Sequence, residues 1–207
     1  MPDPNDPMSQ VLQTLGEFGA RIRRLESLPV FRTWIAIEDK LLAADAPNIE
    51  FVNIPQTFRH LRTISALRSD RAAFGESIFM RMNGDTGPNY WSLQVRIFNP
   101  GILVTSERIA DTVLSVLSAV GDTSASGVFR PSDLFISNYT IVGQAKSMFG
   151  YSGSMGDSAA GETQLVIATG TWRAGASTPA ITSMLFYPGA GGTVWKAGSR
   201  ITLYGLG

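Results

Sequence analysis

The chain has 207 residues, of which 44% are hydrophobic and 16% charged, a composition typical of a globular protein with a sparsely charged surface. Lysine and arginine together number 17, as do aspartate and glutamate, so no overall charge directs the chain to nucleic acid or to membranes. The sequence contains no cysteine, which excludes disulfides, zinc–thiolate sites and thiol chemistry.

The first residues predict an extended arm and then one amphipathic helix. Residues 1–8 contain three prolines and two aspartates, so they favour a flexible arm and do not have the pattern of a secretory signal. Residues 9–28 predict a helix, because apolar side chains recur in steps of four and three, the heptad spacing of a helix that packs along one stripe. The helix stripe consists of Met8, Val11, Leu15, Phe18, Ile22 and Leu25.

This helix stripe has two interpretations. It fits an amphipathic helix that packs on its own domain, and it also fits a short parallel bundle of three chains that anchors the protein and sets a three-fold register. We favour the bundle, an oligomerisation element, because the helix precedes the β region instead of lying within it. Pro29 ends the pattern, and residues 29–48 predict a linker, in which residues 32–40 also fit a strand.

From residue 49 to residue 207, the sequence predicts one all-β domain, either a sandwich or a barrel. Short runs of β-branched and aromatic residues alternate there with clusters of Gly, Pro, Asn, Asp and Ser, which is typical of a sandwich or barrel. Residues 106–120 fit either a helix or a strand. The candidate strands are residues 50–54, 57–67, 76–82, 90–98, 127–129 with 134–140, 163–171, 180–187 and 200–204.

The candidate strand at residues 90–98 has the clearest alternation. Its polar side chains, Ser92, Gln94 and Arg96, point to one face and its apolar side chains to the other. We expect the apolar face to be part of the core. The predicted core members are Trp91, Leu93, Val95, Ile97, Ile201 and Leu203.

Three segments predict turns or loops. Residues 149–162 and 188–197 predict long exposed loops, which are either plain connections or binding loops on a rigid β scaffold. Residues 83–89 predict a hairpin turn, because Asn-Gly tolerates positive φ. A calcium loop is the alternative there, although the spaced acidic ligands of such a loop are missing. The candidate surface-binding residues are Tyr151, Ser152, Met155, Asp157, Trp195 and Lys196.

The sequence has no clear catalytic motif, so we predict a non-enzymatic protein without a cofactor. His60 is the only histidine, and neither a Gly-x-Ser-x-Gly nucleophile elbow nor a phosphate loop or dinucleotide fingerprint occurs. Scattered carboxylates such as Asp85 and Asp133 leave sugar hydrolysis as an alternative. Four arginines favour ion pairs between subunits over nucleic-acid binding, because no stacking aromatics are interleaved with them. They are Arg59, Arg62, Arg68 and Arg71.

Several short segments occur in an order that resembles a class of tailed-bacteriophage virion proteins, and the similarity spans roughly residues 11–205. The segments are Ile22-Arg23-Arg24-Leu25-Glu26 in the helix, Asn83-Gly84-Asp85 followed by Asn89-Tyr90, Ile136-Ser137-Asn138-Tyr139, Trp172-Arg173 followed by Ala180-Ile181-Thr182-Ser183-Met184, and Ala197-Gly198-Ser199-Arg200-Ile201-Thr202-Leu203-Tyr204-Gly205.

The resemblance implies a jelly-roll-like β-sandwich that acts as a homotrimer on the virion, which is assembled in the host cytoplasm. Related proteins are minor tail or fibre proteins, or head decoration and head-fibre proteins. We therefore expect a trimeric virion structural protein of the minor tail or fibre type that contacts other virion proteins and a host-surface glycan, but not nucleic acid or a membrane. The alternatives are a capsid decoration protein, which the lack of a collagen-like or β-helical shaft keeps open, and a free carbohydrate-binding module.

Overall fold

The computed structural model describes residues 33–98, 101–154 and 163–207. The chain divides into two compact units, Met1–Thr33 and Trp34–Gly207, and the second is a mainly β unit whose strand pairs are antiparallel. The predicted arm and helix, with Met8, Val11, Leu15, Phe18, Ile22 and Leu25, lie outside the described residues, as do Met155 and Asp157.

The β unit begins at Trp34 rather than at residue 49. Its first strand occupies much of the predicted linker, so the strand interpretation of residues 32–40 is confirmed. Within the described residues there are twelve strands and one short 3-10 turn at Gly175–Ser177. The strands are β1 (Trp34–Leu41), β2 (Ile49–Phe51), β3 (His60–Leu67), β4 (Gly75–Met82), β5 (Tyr90–Phe98), β6 (Ile102–Asp111), β7 (Leu114–Val120), β8 (Arg130–Ile136), β9 (Lys146–Ser154), β10 (Gln164–Trp172), β11 (Met184–Pro188) and β12 (Arg200–Leu206).

The strands form two sheets that pack face to face, as the sequence predicted. The large sheet has the order β1-β12-β3-β8-β9-β10-β5-β6, and the small sheet has the order β2-β11-β4-β7. The core between the sheets includes Phe51, Met80, Leu134 and Trp172, each fully buried. Ile201 and Leu203 of β12 are also buried there, which confirms those two predicted core members.

Strand β7 is the most deeply buried strand of the described chain. All seven of its residues are buried, although it lies at one end of the small sheet and pairs only with β4. The backbone groups along its free edge are therefore shielded from water and need hydrogen-bond partners within the protein. Polar side chains of the large sheet supply them: Gln94 Nε2 donates to the Ser115 carbonyl (2.7 Å), and the Ser118 amide donates to Ser152 Oγ (3.0 Å).

The orientation predicted for β5 is wrong. The structure turns Ser92 and Gln94 inward, where both are buried, and turns Leu93 and Ile97 outward, where both are exposed. Trp91 and Val95 are half-buried on the same outward face. The reason is the free edge of β7, which requires the hydrogen-bonding side chains of β5 on the inner face.

The loop predicted at residues 149–162 is wrong over its first part, because β9 continues to Ser154. The small residues that suggested a loop let β7 approach the large sheet closely. A Cβ at Gly150 would lie 2.8 Å from the Asp133 carbonyl oxygen and 2.9 Å from a Leu117 methyl carbon. In the same way, a Cβ at Gly170 of β10 would lie 2.7 Å from a Leu114 methyl carbon.

Residues 106–120 form the end of β6 and the whole of β7. The strand interpretation is therefore confirmed and the helical one is wrong. The spacing in this segment did not distinguish a helix from a strand, because all seven residues of β7 are buried and its apolar side chains are not confined to alternate positions.

Candidate interaction surface

The outward face of the large sheet is divided into an apolar half and a polar half. The apolar half lies on four neighbouring strands, β9, β10, β5 and β6, whose outward side chains are mostly large and hydrophobic. We call this set the outer apolar patch. It consists of Leu93, Val95, Ile97, Leu103, Phe149, Tyr151, Leu165 and Ile167.

Strand register brings these side chains into adjacent rows. Ile97 pairs with Leu103 on one side and with Leu165 on the other. In the next row Ile167 lies between Val95 and Tyr151. Directly paired outward residues are close enough for their side chains to touch, so the outer apolar patch is continuous.

The polar half of the face, on β1, β12, β3 and β8, carries ion pairs instead. Arg62 pairs with Asp133, and Arg200 pairs with Asp39 at 2.8 Å. Hydrogen bonds from Arg200 and Thr202 hold the pKa of Asp39 below its usual value. This half is suited to water, whereas the outer apolar patch is the kind of exposed surface that marks an interaction site.

Strand β6 extends the apolar surface to the edge of the sheet. It is exposed on both faces, with Ile102, Leu103 and Ile109 all more than half exposed. Among the described strands it pairs only with β5, so no described strand pairs with its other edge. An edge of this kind pairs readily with a strand from another chain.

Two of the predicted surface-binding residues lie in β9 rather than in a loop. Tyr151 is half exposed and belongs to the outer apolar patch, and its hydroxyl donates to Asp133 at 3.1 Å. Ser152 is buried beneath β7 and accepts its hydrogen bond from Ser118. The prediction that Ser152 is a surface contact is therefore wrong, because neighbouring residues of a strand point to opposite faces.

The predicted contact at Trp195 is also wrong, because its side chain is completely buried and its indole nitrogen donates to the Phe186 carbonyl (3.2 Å). Lys196 is half-buried and pairs with Asp45 at 2.5 Å, and the hydrogen bond with that carboxylate raises the pKa of Lys196. The segment at residues 188–197 is thus anchored to the sandwich instead of projecting from it.

Two buried or half-buried acids hold this same segment through its backbone. Glu76 accepts hydrogen bonds from the amides of Ala190 (2.6 Å) and Gly192 (2.7 Å). Asp70 accepts one from the amide of Thr193 (2.7 Å). Such anchoring explains how a glycine-rich sequence takes one defined path.

The residues considered for chemistry are engaged in structural contacts. His60 Nδ1 accepts a hydrogen bond from the Asn138 amide (3.2 Å), and its ring lies against Phe135. Arg62 pairs within the chain, as does Arg68, which binds the Asp122 carboxylate and four backbone carbonyls in the neighbouring turn. Both arginines thus have ion-pair partners within the chain, and ion pairs between subunits stay a prediction.

The segment at residues 83–89 is a turn, with Asn83 and Gly84 at positive φ. The Asp85 carboxylate accepts hydrogen bonds from the Gly87 amide, the Asn89 side chain and the Trp172 indole (2.7 Å). These contacts occupy the oxygens that a calcium ion would use. In the part of the chain that the structure describes, no group of three or more His, Cys, Asp or Glu is placed to hold a metal.

Comparison of the chain with models of protein families, with curated proteins and with solved structures gave no match. Within the described ranges, no helix is long and apolar enough to cross a membrane.

The outer apolar patch was not predicted from the sequence, although a signal was present. The alternation in β5, and that of Leu165 and Ile167 in β10, showed that each strand has one apolar face, but it did not show whether that face points inward or outward.

Proposed function

We propose that the chain is a non-enzymatic structural protein that assembles by burying the outer apolar patch against another copy of itself. The observation that carries this proposal is the adjacent rows of large hydrophobic side chains on β9, β10, β5 and β6, which no other described residue covers. Patches of several hundred Å² on an otherwise polar surface mark protein contacts, and a stable interface buries about 800 Å² on each partner.

The setting that we propose is a tailed-bacteriophage virion. The resemblance of the ordered sequence segments supports it, and the two packed antiparallel sheets suit the jelly-roll-like sandwich that the resemblance implies. Within the virion, a minor tail or fibre protein that contacts a host glycan is one candidate role.

Capsid decoration is the second candidate role, and one observation favours it. Trp195 and Ser152, which were expected to contact a host glycan, are buried. Among the described residues, the large exposed hydrophobic side chains of the sheet face suit contacts with neighbouring virion subunits better than sugar recognition.

The assembly proposal is tested by Ile167→Lys, with Ile64→Lys as the matched control. Both isoleucines point outward from the large sheet and both are 41% exposed, but Ile167 lies in the outer apolar patch and Ile64 lies beside Asp133 in the polar half. We expect the full wild-type chain and Ile64→Lys to sediment as the same oligomer, and Ile167→Lys to sediment as a smaller species.

A wild-type chain that sediments as a monomer would overturn the proposal, as would an Ile167→Lys variant that keeps the wild-type mass. The variant Leu15→Asp with Ile22→Asp tests the predicted helix stripe in the same assay. If this double variant sediments as a smaller species while Ile167→Lys keeps the wild-type mass, the helix stripe rather than the sheet face holds the oligomer.

The virion setting is tested by counting copies in purified virions against the major capsid protein by quantitative mass spectrometry. Hundreds of copies would identify a decoration protein, and a handful in a multiple of three would identify a tail appendage. Absence of the chain from virions would refute both roles.

A further inference from the structure

A cleft of about 410 Å³ opens at one end of the sandwich, away from the outer apolar patch. Its cationic wall is formed by Arg71, in the loop before β4, and by Arg96 of β5. Its apolar wall is formed by Phe74, Phe98 and Ile102. Arg96 and the patch residue Ile97 are neighbours in β5, so they point to opposite faces of the large sheet.

The two arginines are held in place by neutral acceptors only. Arg71 Nη1 donates to the Gly75 carbonyl (2.8 Å), and Arg96 donates to Gln94 Oε1 (2.6 Å) and to Ser77 Oγ (3.0 Å). Neither guanidinium forms an ion pair with a carboxylate of the described residues. A guanidinium has five N–H donors, so both arginines keep donors that these acceptors do not use.

Among the described acidic groups, Glu76 acts on Arg96 but does not neutralise it. Glu76 is buried, but its carboxylate accepts hydrogen bonds from the backbone amides of Ser77, Ala190 and Gly192. Burial, followed by the charges of Arg71 and Arg108, lowers the pKa of Arg96, and Glu76 only partly offsets them. Two like charges thus share a partly enclosed cleft.

We propose that this cleft binds a small organic anion. Its carboxylate or phosphate group accepts hydrogen bonds from Arg71 and Arg96, since the planar guanidinium matches the oxygens of such anions. Its apolar body lies against Phe74, Phe98 and Ile102. The cleft volume falls within the range of about 300–1,000 Å³ that is usual for small-ligand pockets. This site is independent of the assembly proposed above.

The test is calorimetric titration of the full chain with phenyl phosphate and with benzoate, which carry the two anionic groups on the same apolar ring. The controls are inorganic phosphate, which lacks the apolar ring, and phenol, which lacks the carboxylate or phosphate group. We expect at least one aromatic anion to bind with one-to-one stoichiometry, and both controls to bind at least about tenfold more weakly. Whichever aromatic anion binds more tightly identifies the preferred head group.

Two variants show whether the cleft is the site. Arg71→Gln removes a cleft charge but keeps side-chain donors, and we expect it to weaken binding at least about tenfold. Arg173→Gln removes an exposed charge just beyond the other end of β10, roughly 30 Å along the strand from Gln164, and we expect it to leave binding unchanged.

Absence of binding by both aromatic anions would overturn the proposal, and so would equal weakening by the two variants, which would indicate only general attraction to positive charge. If Arg71→Gln does not fold, amide chemical shifts of the wild-type chain decide the question. Changes confined to Gly75, Thr163 and Gln164 support the cleft, and changes elsewhere refute it.

Discussion

Exchanging the polarity of two neighbouring residues in β5 gives a sharp test of the fold. Gln94→Leu places an apolar group where the sequence pattern predicts the surface, and Leu93→Gln places a polar group where it predicts the core. The structure predicts the opposite ranking of costs, because Gln94 is 2% exposed and Leu93 is 43% exposed. Gln94→Leu is therefore expected to be the more destabilising variant.

The magnitudes follow from the contacts. Gln94 Nε2 donates to the Ser115 carbonyl, and its Oε1 accepts from Arg96. A buried carbonyl left without a partner costs about 1–3 kcal/mol, and the lost bonds to a charged group add to it, so Gln94→Leu should cost about 2–4 kcal/mol. Full burial of a leucine is worth about 1.5–3 kcal/mol. Only about half of that applies to Leu93, so Leu93→Gln should cost about 1 kcal/mol.

The assay is urea denaturation of the full chain at a protein concentration low enough for the wild type to sediment as a monomer. The free energies of unfolding of the two variants are then compared with that of the wild type. A larger loss for Leu93→Gln than for Gln94→Leu would refute the inward orientation of Gln94. At higher concentration the Leu93→Gln deficit should grow, because the oligomer adds stability by mass action.

Two further predictions concern packing and pH. Gly121→Ala should cost about 1–3 kcal/mol, because its Cβ would lie 1.9 Å from the Ala73 carbonyl oxygen. Gly207→Ala, whose Cβ would meet nothing within 4 Å, should have the melting temperature of the wild type. Equal melting temperatures for Gly121→Ala and Gly207→Ala would contradict the close packing at Gly121. Burial raises the pKa of Asp85, but hydrogen bonds from Trp172, Gly87 and Asn89 outweigh it, so that pKa lies below its usual value. A lowered folded-state pKa stabilises the protein above the unfolded pKa of about 4, and this contribution is lost as the pH falls through the folded pKa. Wild-type stability should therefore fall more steeply below about pH 4 than that of Asp85→Asn, and parallel urea midpoints for the two proteins across that range would contradict this assignment.

The sandwich class and most strands could be predicted from the sequence, because local patterns carry them. The alternation over residues 90–98 gave the bounds of β5, and Asn83-Gly84 gave the turn before it. Strand β9 could not be predicted, because Gly150 and Ser152 are typical loop residues, and what favours them here is pairing with β8 and β10 and contact with β7, all distant in sequence. Composition alone assigns such residues to a loop.

The candidate site was harder to predict, because alternation shows that a strand has two faces but not which one is buried. Trp195 shows the same difficulty. Its neighbours are small and polar, which indicated an exposed loop, yet the segment folds back over the core and is fixed there by Glu76, Asp70 and Asp45. These anchors are far from Trp195 in sequence, so the local sequence did not indicate its burial.

Strand β5 links folding to assembly, because neighbouring residues of the strand serve different partners. Gln94 cannot be exchanged for an apolar residue without cost, since it satisfies the free edge of β7 inside the sandwich and buried polar groups require partners. Leu93 and Ile97 are under no such constraint within the chain, because they contact solvent on the outward face. In a protein that stayed monomeric, polar residues at these positions would cost little stability and would avoid an exposed apolar surface. Within the described residues nothing covers this apolar face, and burial against a second copy is the explanation that we propose for it.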